Sequence, residues 1–372
     1  MRKQYDVAAF IWPAYTGDEP RTRMFWPEGY GEWQSVKNAK KNGADKPDGY
    51  VWDRKPLWGY VNEADPAVME MEIAQAYEHG VNVFIYDWYW YDDRPFLEQC
   101  LDNGYLKAQN NDLVKFYLMW ANHHATQMWN IELSDELPSD IIWRGDITPD
   151  IFRGLVRRWI DKYFTHPSYY KINGEPVFMI YTMDTLLKSF GGSDNTRAAL
   201  DEFRAEVKKA GFPGLHLQAV YNAFEGFDYD GCYGGTPGDV YTLLGFDSVS
   251  HYNMSTQAER NCDYTEMIKK HQAGYDEMDA AGRLYFPEVS LGWDNNPRYR
   301  SFKPNIMKNN TPDKIKTALE QAKAYVDSHD LPVPLMLINS WNEWTETSYL
   351  QPDNVNGYGY LNAVRDVFKN SK

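Results

Sequence analysis

Cysteine is scarce: three in 372 residues, at positions 100, 232 and 262. An odd, scattered set of this kind is no disulfide framework, and without a Cys-x-x-Cys pair it has no zinc spacing. Their expected role is that of small buried hydrophobes. Long apolar runs are missing too. No stretch approaches the roughly 18 residues that a membrane span needs, so none is expected. Nor is there a basic block. The 38 Lys and Arg stand against 53 Asp and Glu, a net charge of −15. Nucleic-acid binding needs clustered cations to neutralise phosphates, and anionic lipid surfaces need the same, so both are excluded. The start MRKQYDVAAFIWPAY is basic but runs directly into a strand-like segment with Asp6 inside it, which is not the layout of a signal peptide. A cytoplasmic location fits, as does an exported one with its leader removed.

Aromatic residues are abundant. Trp, Tyr and Phe make up 16% of the chain, and the 14 Trp and 28 Tyr outnumber the 17 Phe. A large packed core accounts for some of this. Trp and Tyr also pair a flat apolar face with a hydrogen-bonding edge, as stacking on a sugar ring requires.

Eight short apolar runs recur, at residues 7–12, 81–88, 115–122, 177–183, 215–221, 246–252, 284–293 and 335–341. Runs of this length fit strands buried on both faces of a parallel sheet. Helical patterns lie between them at 65–80, 149–164, 194–211, 258–282, 311–329 and 356–372. Several open on a capping residue followed by proline, as in Asp65-Pro66 and Thr311-Pro312. Eightfold alternation predicts one α/β domain over residues 1–372, a (β/α)8 TIM barrel. An open doubly wound sheet is the competitor, but no glycine-rich phosphate loop follows the first run. Two excursions break the repeat, at 13–63 and 123–148. They follow strands 1 and 3 at the carboxyl ends, where barrel enzymes build their pockets.

Reading those ends gives Trp12 and Tyr15; Asp87, Trp88 and Trp90; Trp120, Asn122 and His123; Tyr181; Tyr221 and Asn222; His251 and Tyr252; Trp293 and Asp294; and Trp341, Asn342, Glu343, Trp344 and Glu346. A single aromatic in this set can be a rim packer, and His123 a solvated loop residue. Asp294, in GWDNNPR, can cap a turn. Asp87 sits among apolar and aromatic neighbours, so it needs a partner, either substrate or an arginine such as Arg94. The densest motif is NSWNEWTETS at 339–348. Its two glutamates are three apart. One helical turn brings both carboxylates to one side, whereas an extended loop separates them. Glycoside hydrolysis needs one carboxylic acid for the leaving oxygen and a second carboxylate near the ring. Water exclusion by Trp341 and Trp344 would raise one of the two pKa values. The alternative is a helix start with acids at its positive end.

At these residues the chain resembles the glycoside hydrolase family 99-like, or WbsX-like, proteins. The segments that carry the resemblance are AAFIWPAY, GYGEWQSVKNAK, residues 56–90, LMWANHH and INSWNEWTETSYLQPD, which together span nearly the whole sequence. The Glu-Trp-x-x-Val pattern at Glu32-Trp33 and the Asn-Glu-Trp-x-Glu pattern at 342–346 are specific together. The resemblance to endo-α-mannosidases implies retention by an unusual route. Glu343 acts as base on the sugar's own 2-hydroxyl, which attacks C1 to give a 1,2-anhydro sugar. Glu346 protonates the departing oxygen and then activates water. It also implies no metal and no cofactor, an oligosaccharide or polysaccharide substrate, and a 2-hydroxyl trans to the leaving group, as in α-mannosides or rhamnosides. Two competitors stand beside this expectation. One is a glycosyltransferase, as the WbsX label suggests; the formal DxD at Asp228 and Asp230 is its weak support. The other is a non-catalytic carbohydrate-binding barrel.

Overall fold

Eight parallel strands circle the core. They are β1 (Asp6–Ile11), β2 (Val83–Tyr91), β3 (Lys115–Trp120), β4 (Glu175–Ile180), β5 (His216–Val220), β6 (Ser248–Ser250), β7 (Glu288–Ser290) and β8 (Leu335–Asn339). The computed structural model describes residues 4–39, 45–221, 239–254 and 261–369. Strands β1 to β6 pair in sequence order. β7 pairs with β8, and β8 returns to β1 with Ala9 opposite Ile338. A parallel bridge from Val249 to Tyr285 joins β6 to the residues entering β7, so the ring is nearly closed. This is the (β/α)8 barrel that the alternation predicts.

The helices that cover the outside include α1 (Pro66–His79), α2 (Pro149–Trp159), α3 (Ser193–Lys209), α4 (Val240–Leu244), α5 (Tyr264–Ala280), α6 (Pro312–Ser328) and α7 (Gly359–Phe368), and others lie at Trp33–Asn38 and Met183–Phe190. Their starts follow local chemistry. Asp65 accepts from the Ala67 N–H at 2.9 Å, Thr148 from Ile151 at 3.3 Å and Asp263 from Thr265 at 2.8 Å. Each such cap stabilises its helix by about 0.5–2 kcal/mol. Gly80 ends α1 at φ 97°, a conformation that costs glycine nothing.

Several expected elements differ in extent. The run at 284–293 contributes only Glu288–Ser290, starting just after Pro287, which has no N–H for a ladder. The run at 246–252 yields Ser248–Ser250. β2 is longer than its run. It continues to Tyr91, turns over Asp92 and Asp93 at φ 51° and 56°, and folds back as Arg94–Phe96. Two successive positive φ values make the tight hairpin turn whose twist matches the strands. The unit after β2 has helical turns at Cys100–Gly104 and Tyr105–Lys107 instead of a full helix.

The long loops after β1 and β3 both meet the loop after β7. Asp135 accepts from the N–H groups of Arg300 and Ser301 at 2.9 and 2.8 Å, and Lys303 Nζ lies 2.7 Å from it. Ser134 Oγ donates to the Arg298 carbonyl at 2.7 Å. From the first loop, Tyr50 donates to Asp294 at 2.7 Å. These contacts tie the loops to one another beside the carboxyl end of the barrel.

Candidate active site

Strand geometry decides which side chains enter the barrel mouth. Along β2 successive residues alternate. Asp87 and Tyr89 face inward, whereas Trp88 and Trp90 stack on each other outside, 5.9 Å apart. A cavity of about 280 Å³ opens there. Trp12, Tyr89, Trp129 and Tyr181 supply aromatic walls, with His123 among them. Asp87, Tyr252, Glu343, Glu346 and Arg298 supply its polar lining.

The two glutamates come from one turn. Glu343 pairs with Ser348 in a short antiparallel ladder, residues Trp344–Glu346 form a 3₁₀ turn, and Thr347 at φ 57° reverses the chain. Of the two geometries open to a spacing of three, the turned one is realised. Arg298, after β7, joins the carboxylates. Its Nη1 donates to Glu346 Oε1 at 2.6 Å, its Nη2 to Glu343 Oε1 at 3.2 Å and its Nε to Glu32 Oε1 at 2.9 Å. Trp12 Nε1 donates to the other Glu32 oxygen at 2.5 Å. Tyr252 Oη lies 2.9 Å from Glu343 Oε2 and 3.0 Å from Asp87 Oδ2.

Three buried acids, Glu32, Glu343 and Glu346, surround one arginine, and a fourth, Asp87, lies beside them on Tyr252. That imbalance holds protons on some of them. Burial and then the adjacent Glu343 push Glu346 up to about 8 against the pull of Arg298. Burial also raises Glu343, but Arg298 and Tyr252 stabilise its charge. Asp87 is raised well above the carboxylate range by burial and then by Glu343. The Arg298 guanidinium is held charged: burial opposes its charge, but Glu32, Glu346 and Glu343 outweigh it. Burial lowers His123, and its Nδ1 faces the His124 carbonyl at 2.9 Å. A carbonyl only accepts, so Nδ1 carries the proton and Nε2 is left as an acceptor.

The structure brings Trp12, Asp87, His123, Tyr181 and Tyr252 together with Glu343 and Glu346. Glu32 stands one step behind them, on Arg298. The other sequence candidates lie elsewhere. Trp88 donates to Glu98 at 3.0 Å, and Trp120 packs on Phe152 and Trp159; both point into the helix layer, as alternate strand positions must. Trp90 shares that outward side. Asn122 is a strap that exchanges two 2.8 Å bonds with the Thr182 backbone. Tyr221 donates to Glu277 on α5, and His251 is bonded to Tyr285 at 2.8 Å, again outside the barrel. Asp294 caps its own turn through Asn296, and Trp293 is partly buried away from the cavity. Tyr15 and Trp33, within the first loop, pack on each other with tilted rings 4.2 Å apart. Asn222 and the Asp228–Asp230 pair lie outside the described residues. Asp87 makes its bond to Tyr252; Arg94 is exposed on the hairpin.

Asn342 and Trp344 face backward and anchor the turn. Asn342 Nδ2 donates to Glu63 at 2.8 Å and Trp341 Nε1 to Glu72 at 2.7 Å. Gln351 Nε2 reaches both acids at 3.1 Å, while its oxygen accepts from Trp344 at 2.7 Å. Glu63 and Glu72 are wholly buried. Among the described residues no group of three His, Cys, Asp or Glu is arranged to hold a metal ion, and no helix is long and apolar enough to cross a membrane.

Arg298, Tyr89, Met119, Ala121, Met128 and Trp129 line the cavity without having been read from the sequence. Period two from Asp87 points to Tyr89. Arg298 has no such signal, since it belongs to an irregular loop whose course depends on Ser134 and Glu32, remote in sequence.

The model of the family described as glycosyltransferase WbsX matches residues 7–364. The chain belongs to that family. A curated relative, WxcX of Xanthomonas campestris pv. campestris, is 25% identical over 362 residues; the match covers 94% of this chain and 47% of WxcX. WxcX of strain B100 matches to the same extent. The chain thus spans about half the length of the curated relatives it matches. Among solved structures, the GH99 endo-α-mannosidase from Bacteroides thetaiotaomicron superposes with a TM-score of 0.57 at 15% identity, covering 98% of this chain and 96% of that one. A glycoside hydrolase-like protein gives 0.60 at 16% identity, covering 99% and 95%. The β-glucosidase from Thermotoga maritima, with deoxynojirimycin, gives 0.51 at 10%, covering 98% and 97%. Family and fold neighbours alike carry names of carbohydrate-active enzymes.

Proposed function

We propose that this family member is a retaining α-glycosidase of manno-configured glycans. Glu346 is the acid/base and Glu343 the base that acts on the sugar's 2-hydroxyl. The observation that carries the reading is the pair of carboxylates on one turn, both bound to Arg298; burial and the neighbouring Glu343 push the pKa of Glu346 up to about 8. An acid must be protonated at working pH and a base must not be, and neighbouring carboxyls with different affinities supply both.

In the first step O2 attacks C1, its proton passes to Glu343, the C1–O bond breaks, and Glu346 protonates the departing oxygen. In the second, ionised Glu346 takes a proton from water, the hydroxide adds to C1 as the C1–O2 bond breaks, and Glu343 returns its proton to O2. Configuration is retained after two inversions. The aromatic walls suit the flat faces of a sugar ring, and the resemblance to GH99 endo-α-mannosidases supports the manno configuration. The test is a screen of aryl α-mannosides and α-rhamnosides, with the first-formed anomer followed by NMR. The α-anomer should appear first.

A second reading, transfer of an activated sugar, is favoured by the family's description. Against it, Arg298 is the one Lys or Arg lining the cavity among the described residues, and it is already bonded to Glu32, Glu343 and Glu346, so no free cation is left to hold a diphosphate donor. Product formation only in the presence of a nucleotide sugar would support this second reading.

A further inference from the structure

Tyr252 has one hydroxyl hydrogen and two carboxylate neighbours, Glu343 Oε2 at 2.9 Å and Asp87 Oδ2 at 3.0 Å. Both contacts are hydrogen bonds only if one carboxyl brings a proton of its own. Glu343 is bonded to the Arg298 guanidinium and keeps its charge more readily. Asp87 touches no cation. It is 4% exposed, and its Oδ1 is buried with no hydrogen-bond partner among the described residues.

We infer that Asp87 is a neutral carboxylic acid whose O–H donates to Tyr252, that Tyr252 in turn donates to Glu343, and that Asp87 Oδ1 accepts a hydroxyl of the bound sugar. The groups facing Asp87 all agree with this. Glu343 and Glu346 repel a charge there, Tyr89 and Tyr181 are neutral phenols, His123 is held neutral by burial, and Arg298 is occupied by Glu32, Glu343 and Glu346. Burial and the Glu343 charge both disfavour an ionised Asp87. The chain fixes Glu343 from two sides, with Oε1 on Arg298 and Oε2 on Tyr252. Asp87 is therefore a positioning residue for the base and a specificity residue for one sugar hydroxyl. The second role rests on the glycosidase reading; the protonation state does not.

The experiment is infrared difference spectroscopy of the whole protein at pH 7, wild type minus Asp87→Asn. One protonated-carboxyl C=O band should be lost, while the band of Glu346 remains. An amide keeps both an N–H for Tyr252 and an oxygen for the sugar, so it should largely rescue function. Asp87→Asn should lower kcat/KM about 5-fold or less, and Asp87→Leu, which takes away the donor to the buried Tyr252 oxygen and the acceptor for the sugar, about 10²-fold. If the leucine variant does not fold, Tyr252→Phe gives the same comparison, with a loss larger than that of Asp87→Asn. No lost band, or Asp87→Asn falling as far as Asp87→Leu, would overturn the inference. A lost band in a protein that cleaves no glycoside would leave the neutral Asp87 standing and reject the glycosidase reading instead.

Discussion

Arg298 Nη1 lies 2.6 Å from Glu346 Oε1, with both side chains nearly withdrawn from solvent. The same guanidinium holds Glu343 and Glu32, so one cation sets the spacing of the site's acids. Arginine suits this place because its planar fork serves several carboxylates at once and stays charged when buried.

Arg298→Met should be more harmful than an ordinary core substitution. It leaves buried carboxylates without their cation, which costs about 3–5 kcal/mol. It should also raise the proton affinity of Glu346, because Arg298 is the group that lowers it. Denaturant unfolding at pH 7 checks the first effect, and an alkaline shift of the activity profile checks the second.

Substitutions at the two glutamates should separate their roles. Glu346→Gln removes the proton donor and should slow a poor leaving group about 10²–10⁴-fold. An activated aryl leaving group needs no proton and should lose less. Glu343→Gln should slow both substrates alike, because the attacking hydroxyl keeps its proton. Rescue of Glu343→Gln but not of Glu346→Gln by the aryl group would exchange the assignments.

Stability should fall as pH rises through the neutral range. Glu346 is raised from an ordinary 4.5 to about 8, and burial raises Asp87 and Glu343 in the same direction. Between 4.5 and 8 the folded state therefore holds protons that the unfolded state has released, and each unit of pH favours unfolding. Glu98 acts oppositely. Arg158, Tyr163 and Lys162 overcome its burial and depress it to about 2, so its contribution is lost as the medium is acidified below 4.5. Melting temperature should peak near pH 5 and be lower at pH 8; a curve rising steadily to pH 8 would contradict the buried-acid account.

The acids behind the turn should matter for rate more than for binding. Glu63→Leu leaves one N–H of Asn342 and one of Gln351 unpaired, while the others stay on the Trp12 carbonyl and Glu72, at a cost of about 1–3 kcal/mol for each buried group left unpaired. The turn carrying Glu343 and Glu346 should loosen, lowering kcat, while KM should move less because Trp12, Tyr89, Trp129 and Tyr181 stay in place. Steady-state kinetics at a temperature where the variant remains folded would show the split.

Much of this site is written in local pattern. The apolar runs, Asp65-Pro66 and the paired glutamates at 343 and 346 each carry their meaning within a few residues. Strand ends are less informative, because alternation decides the direction of each side chain and an aromatic run hides it. In IYDWYW the acid reveals its side, yet Trp88 and Trp90 differ from Tyr89 only by position. His251 and Tyr221 mislead for the same reason. Arg298, Trp129 and the Asp135 clasp depend on contacts between loops far apart in sequence, and nothing near them announces the meeting.

The most direct test of the central claim is turnover of an aryl α-mannoside beside its 2-deoxy counterpart by the wild-type protein. The account predicts hydrolysis of the first with retention and no turnover of the second, which lacks the attacking hydroxyl. Comparable turnover of both, or a covalent sugar adduct trapped on either glutamate, would contradict it and put a carboxylate nucleophile in its place.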